Sequence, residues 1–250
     1  MKKINITMRE QSYELLESIR TLRTNLLFCG DDKQVVMITS SLPGEGKTET
    51  AILLAHSLAE IEKKVLIIDA DMRKSYMAAR LEAKGAGHGL SHVLSGQCDI
   101  KTAICATNIP RLHILFAGPM APNPTELLET KRFENLIAAF RTVYDYIIID
   151  CPPLGMVVDA SVIAKNCDGS ILVVEADKTK YRLVQNVKNK LAASKTPILG
   201  VVLNKIEVKK NKTYYSKYYG KKYSIQYGNG YYGHGEESNL KKRAAKRKQA

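Results

Sequence analysis

The 250-residue chain has no tryptophan, no CxxC pair and no apolar run near the 18 or more residues that span a bilayer. The missing tryptophan decides nothing, but the other two absences exclude whole classes. Five cysteines (Cys29, Cys98, Cys105, Cys151, Cys167) lie far apart and are odd in number, so neither a disulfide framework nor a zinc site is indicated. The opening MKKINITMREQ has two lysines with no apolar core behind them, so no secretory signal is expected. A cytosolic location follows as the expectation. Large aliphatic residues are also scarce in one place. After Val208 the only aliphatic residues larger than alanine are Ile225 and Leu240. Residues 208–250 cannot bury enough surface to offset their chain entropy, and a disordered tail is expected there.

What is present is unevenly spread. Apolar residues make up 45% of the chain, enough for a core, and the net charge is +13. From Lys205 onward there are thirteen Lys and Arg against three Glu, a balance of +10, which leaves +3 for residues 1–204. The basicity therefore belongs to the tail. Eight of the thirteen tyrosines fall in TYYSKYYGKKYSIQYGNGYYG (213–233), among Lys, Gly, Ser, Asn and Gln that build no core.

Upstream, apolar bursts alternate with helical patterns. The bursts are 34–41, 64–71, 111–117, 144–150, 169–176 and 196–205. Helices are expected near 12–28, 47–62, 125–141, 158–166 and 180–194, with Leu15, Leu16, Ile19, Leu22 and Leu26 spaced for one face of the first. Asn123, Pro124 and Glu126 form a helix-opening sequence. Short β-branched runs separated by helices predict an α/β fold, a mostly parallel central sheet with helices on both faces. Ligands then bind beyond the carboxyl ends of the strands. The expected organisation is one domain over 1–207 and the tail over 208–250.

The first strand leads into SLPGEGKTE and a helix. Against G-x-x-x-x-G-K-[ST], only the first glycine is replaced, by Ser41. The loop Pro43, Gly44, Glu45, Gly46 would turn the N–H groups that follow Pro43 toward phosphate oxygens at the positive end of a helix opening with Lys47, Thr48 and Glu49. These residues are the predicted nucleotide site of a P-loop NTPase. Lys47 would reach the β and γ phosphates and Thr48 would bind Mg²⁺. Two further strands end in carboxylates: KVLIIDADMR in Asp69 and Asp71, YDYIIIDCPP in Asp150. Aspartates at strand ends are often plain turn residues. Three beside a P-loop supply what Mg²⁺ takes from protein, one or two carboxylates. In LNKIE (203–207), Asn204 is a candidate adenine contact, with an ordinary strand terminus as the alternative.

Leu42 stands where partition, septum-positioning and nitrogenase-iron-protein ATPases carry a signature lysine. The ordered set of LPGEGKT, IIDADMR, IIIDCPP and a terminal tyrosine cluster resembles the bacterial tyrosine kinases (BY-kinases), in particular the cytoplasmic kinase of Gram-positive capsule and exopolysaccharide systems. ESIRTLRTNLLF (17–28), GLSHVLSG (89–96) and FAGPMAPNPTELLE (116–129) agree, so the resemblance spans nearly the whole chain. Cys151 departs from it, standing where threonine is expected.

The resemblance implies transfer of the γ-phosphoryl group of ATP to tyrosine. Lys47, Asp69 and Asp71 would be the catalytic residues, with Asp69 as base, and Thr48, Asp71 and Asp150 would hold Mg²⁺. Asp69 and Asp71 could exchange roles. It also implies self-association into a ring through Glu17, Arg20 and Arg23, which otherwise read as a solvated helix face. Autophosphorylation, favoured in trans, would fall on Tyr214, Tyr215, Tyr218, Tyr219, Tyr223, Tyr227, Tyr231 and Tyr232. Further implied partners are a separate transmembrane activator, which would hold the kinase at the inner face of the membrane, a cognate tyrosine phosphatase, and polysaccharide-biosynthesis enzymes as substrates.

Two other readings compete. One is a non-kinase partition or positioning ATPase whose basic tail binds DNA or membrane, against which Leu42 and the tyrosine cluster count. The other treats the Tyr/Gly/Lys tail as a nucleic-acid stacking segment, which leaves the three aspartates unused. Nucleic acid is therefore not an expected partner.

Overall fold

The computed structural model describes residues 1–206. The expected tail, its tyrosines and the boundary at 208 lie outside the described residues. The chain opens with β1 (Lys2–Lys3), α1 (Tyr13–Phe28), β2 (Val35–Ser40), α2 (Lys47–Glu60) and β3 (Val65–Asp69). Three short helices follow, α3 (Met77–Arg80), α4 (Leu90–Leu94) and α5 (Ile100–Ala103), then β4 (Ile104–Ala106) and β5 (Leu112–Leu115). The remainder is α6 (Pro124–Leu128), α7 (Lys131–Arg141), β6 (Tyr146–Asp150), α8 (Asp159–Ala164), β7 (Gly169–Glu175), α9 (Tyr181–Ala193) and β8 (Ile198–Asn204).

The eight strands form one sheet in the order β1-β4-β5-β3-β6-β2-β7-β8, and only the β4–β5 pairing is antiparallel. The central strands are apolar at nearly every position because both faces are covered. Alternate residues divide between two cores. Met37, Ile68 and Ile149 face α4 and α6–α9 through Val93, Leu128, Phe133, Ile163 and Leu191. Ile38, Ile67 and Ile148 face α1–α3 through Leu26, Leu54, Leu58 and Met77.

Three expectations change. The single helix near 125–141 is two, α6 and α7, because Thr130 takes an extended backbone and its hydroxyl donates to the Leu127 carbonyl at 2.7 Å. Asn123 sits at the first helix's N-terminus but makes no side-chain cap; its Nδ2 donates to Glu126 Oε2 at 2.7 Å. The first strand-end motif also divides, since β3 ends at Asp69 and Asp71 lies in the exit turn. Among the described residues no helix is long and apolar enough to cross a membrane.

Candidate active site

The carboxyl ends of β2, β3 and β6 meet at one point. Register places Asp150 beside both Ile38 of β2 and Asp69 of β3. The loop after β2 curls through Gly44 (φ 81°) and Gly46 (φ 98°), left-handed conformations that glycine adopts without strain. A Cβ on Gly46 would stand 2.0 Å from Asn204 Nδ2, so Asn204 approaches the loop as closely as glycine permits. That Nδ2 donates to the Glu45 carbonyl at 2.9 Å, and Lys205 Nζ donates to the Gly44 carbonyl at 2.6 Å. The side chain proposed for adenine thus also holds the loop.

Glu45 turns away from the loop's inner side. Its carboxylate is 1% exposed and accepts from Leu42 N–H at 2.8 Å, Glu175 N–H at 3.4 Å and the Thr179 hydroxyl. Pro43, Gly44, Gly46, Lys47, Thr48 and Glu49 instead line a cavity of about 570 Å³. Its far wall is Arg73–Tyr76, Arg80, Pro152, Pro153, Met156 and Val157. Glu49 is committed to Arg80, with both carboxylate oxygens at 2.5 Å from the guanidinium.

Lys47 Nζ lies 3.4 Å from Asp71 Oδ2 and 3.6 Å from Asp150 Oδ1. Burial disfavours its charge, but Asp150, Asp71 and Asp69 outweigh that and raise its pKa. Burial, then the Asp150 charge, pushes Asp69 up to about 7 against the opposing bonds from Ser75 and the Asp71 amide. Asp150 is also raised, chiefly by burial, with Lys47 opposing. Its Oδ1 is buried and accepts no hydrogen bond. An orphaned carboxylate oxygen beside Asp71 and the Thr48 hydroxyl suits a hard cation such as Mg²⁺. Among the described residues no three His, Cys, Asp or Glu converge as a complete metal site, so phosphate and water would complete the coordination.

The sequence reading missed Ser75, Tyr76 and Arg80. Only Arg73 was flagged by its motif. Its guanidinium is fixed by Asp159 at 2.6 and 3.0 Å and by Thr125 at 3.1 Å. No short motif marks the others: Ser75 and Tyr76 reach the cavity through the turn after β3, and Arg80 from the end of α3. The interface residues also divide. Glu17 and Arg20 pair with each other at 2.5 Å and are about half exposed, whereas Arg23 bends onto α2, donating to the Ser57 carbonyl at 2.8 Å.

Fold and loop define a P-loop nucleotide-binding α/β domain, and the AAA domain family matches residues 33–199. Tyrosine-protein kinase CpsD of Streptococcus agalactiae serotype III is 43% identical over 196 residues, 78% of this chain and 84% of that protein. The kinase domain of Escherichia coli tyrosine kinase ETK superposes with a TM-score of 0.74 at 28% identity, covering 82% of this chain and 90% of that one. The septum site-determining protein MinD of Pyrococcus horikoshii OT3, complexed with Mg-ADP, gives 0.60 at 25% identity over 68% and 69%. The chain belongs to the bacterial tyrosine-protein kinase family.

Proposed function

We propose that the chain is an ATP-dependent protein-tyrosine kinase that autophosphorylates its own C-terminal cluster, Tyr214 to Tyr232, and so regulates capsular or extracellular polysaccharide synthesis and export. One observation carries this reading. The cavity does not end at the phosphate loop but continues along Arg73–Tyr76 to Met156, leaving space beside the phosphate half for an acceptor side chain.

In this reading Mg-ATP is a substrate, and the ion neutralises charge on its β and γ phosphates when bound. Thr48, Asp71 and Asp150 would hold the ion. Lys47 and the N–H groups of Gly44–Thr48 that are free to donate bind the phosphates, supplying positive charge where the loose transfer state concentrates negative charge. Asp69 takes the phenol proton. Asp71 is engaged by Lys47 Nζ at 3.4 Å and by the Lys74 N–H at 3.0 Å, which leaves the base role to its neighbour. Asn204 has its amide oxygen left for adenine.

Glu17 and Arg20 are presented on α1 beside exposed Leu16 and Phe28, a mixed charged and apolar face suited to another copy in a ring. Phosphorylation would then proceed in trans. A separate transmembrane activator would hold the kinase at the inner membrane face, a tyrosine phosphatase would reset it, and polysaccharide-biosynthesis enzymes would be further substrates.

The test is incubation of the full chain with Mg-ATP, with and without activator, followed by phosphotyrosine mapping. Signal on residues 214–232 that disappears in Lys47→Met is expected. ATP hydrolysis without phosphotyrosine would instead favour the positioning-ATPase reading, to which the likeness to MinD lends the fold.

A further inference from the structure

Asp69 is 1% exposed and does not line the cavity. One of its oxygens accepts the Asp71 N–H at 3.2 Å and the other accepts the Ser75 hydroxyl at 2.5 Å. Ser75 is exposed and does line the cavity. Among the described residues, the bond to Asp69 is the only side-chain hydrogen bond that Ser75 makes. A serine hydroxyl has one proton to donate and two lone pairs to accept with. Donating inward to Asp69 leaves its oxygen available to an O–H in the cavity. A phenol entering beside Tyr76 and Met156 meets Ser75 before it meets the carboxylate. Asp71 does line the cavity, but one oxygen faces Lys47 and the other accepts Lys74 N–H at 3.0 Å.

We propose that Ser75 is the proton relay between the acceptor tyrosine and Asp69. This rests on the reading of Asp69 as base. The phenol passes its proton to Ser75 Oγ while Ser75 passes its own to Asp69 Oδ2. The phenolic oxygen forms a bond to the γ-phosphorus, the bond from that phosphorus to the β–γ bridging oxygen breaks, and ADP leaves with the electron pair. Ser75 ends the cycle as a hydroxyl, and the net proton rests on Asp69.

The test uses the full chain with Mg-ATP and the initial rate of tail phosphotyrosine formation at varied ATP. Ser75→Ala should lower kcat about 100-fold, at the low end of general acid–base effects, with KM for ATP unchanged. Ser75→Thr, which restores a hydroxyl, should recover most of that loss, and Ser75→Ala should add nothing in an Asp69→Asn background. A nearly inactive Asp69→Asn beside a fully active Ser75→Ala overturns the relay alone. So does a Ser75→Thr as impaired as Ser75→Ala at unchanged melting temperature. An Asp69→Asn chain with the original rate removes the base reading, and the relay with it.

Discussion

At the scale of single residues, Glu45 shows how sequence position and structural role can separate. It stands between the two loop glycines, where a motif scan places it on ATP, yet its carboxylate is buried against Leu42, Glu175 and Thr179. Those three donors lose their acceptor in Glu45→Ala, and an unsatisfied buried polar group costs about 1–3 kcal/mol. The expected outcome is a melting temperature lowered by several degrees and weaker nucleotide binding, measured by calorimetry in one preparation. Unchanged stability and affinity would show that the brace is dispensable. Gly155 makes a comparable point from the opposite side of the loop. A Cβ there would stand 2.0 Å from the Ser41 carbonyl oxygen, so Gly155→Ala should displace the loop's first residue. Nucleotide affinity is expected to fall about tenfold, with only a small change in overall stability, and an unaltered affinity would contradict this. Neither role was legible in the sequence, because each includes contacts more than a hundred residues apart. Lys47, Thr48 and the three aspartates were legible because their spacing is local and each follows an apolar strand.

At the scale of elements, register does work that no single residue does. Parallel pairing sets Asp69 of β3 directly beside Asp150 of β6, so burial and a like charge together raise Asp69 to about 7. In the unfolded chain an aspartate titrates near 3.9. Between those values the folded state binds the extra proton, so this contribution to stability is fully present below about pH 4 and fades as pH rises through about 7. Asp150→Asn removes the neighbouring charge, so the nucleotide-free variant should lose less stability than the parent between pH 5 and 8. Thermal melts across that range decide it, and parallel curves would count against coupling of the two carboxylates. Helix α1 carries one buried and one exposed apolar residue near its end. Leu26 is 2% exposed and Phe28 is 83% exposed. Leu26→Ala should cost about 2–5 kcal/mol of stability, whereas Phe28→Ala should leave melting unchanged and weaken self-association in sedimentation velocity. Apolar spacing made the strands and long helices readable in advance. The break at Thr130 and the short antiparallel β4 were not, since three to five residues carry no periodicity.

At the scale of the whole molecule, the decisive quantity is where charge lies. Residues from Lys205 onward carry +10 of the net +13, and the eight clustered tyrosines share that segment. β8 ends at Asn204, whose amide already touches the phosphate loop, so the chain leaves the domain at the active-site edge. Tyr214 is ten residues further on, within an extended reach of roughly 33–36 Å, enough for its own cavity or a neighbour's. Each phosphate adds about −1.5 to −2 charge at neutral pH. Modification of all eight therefore takes the segment from +10 to roughly −2 to −6. A cationic segment is drawn toward the carboxylates and bound nucleotide of an active site, and an anionic one is repelled by the same groups. The expected consequence is that Mg-ATP disperses the assembled protein, and that replacing all eight tyrosines with phenylalanine leaves it assembled under identical conditions. Raising salt should weaken the unmodified assembly in the same direction, since it screens the attraction that phosphorylation reverses. Light scattering during turnover reads both effects. Dispersal of the phenylalanine variant at the parent's rate would place the trigger in nucleotide binding rather than in the charge of the tail.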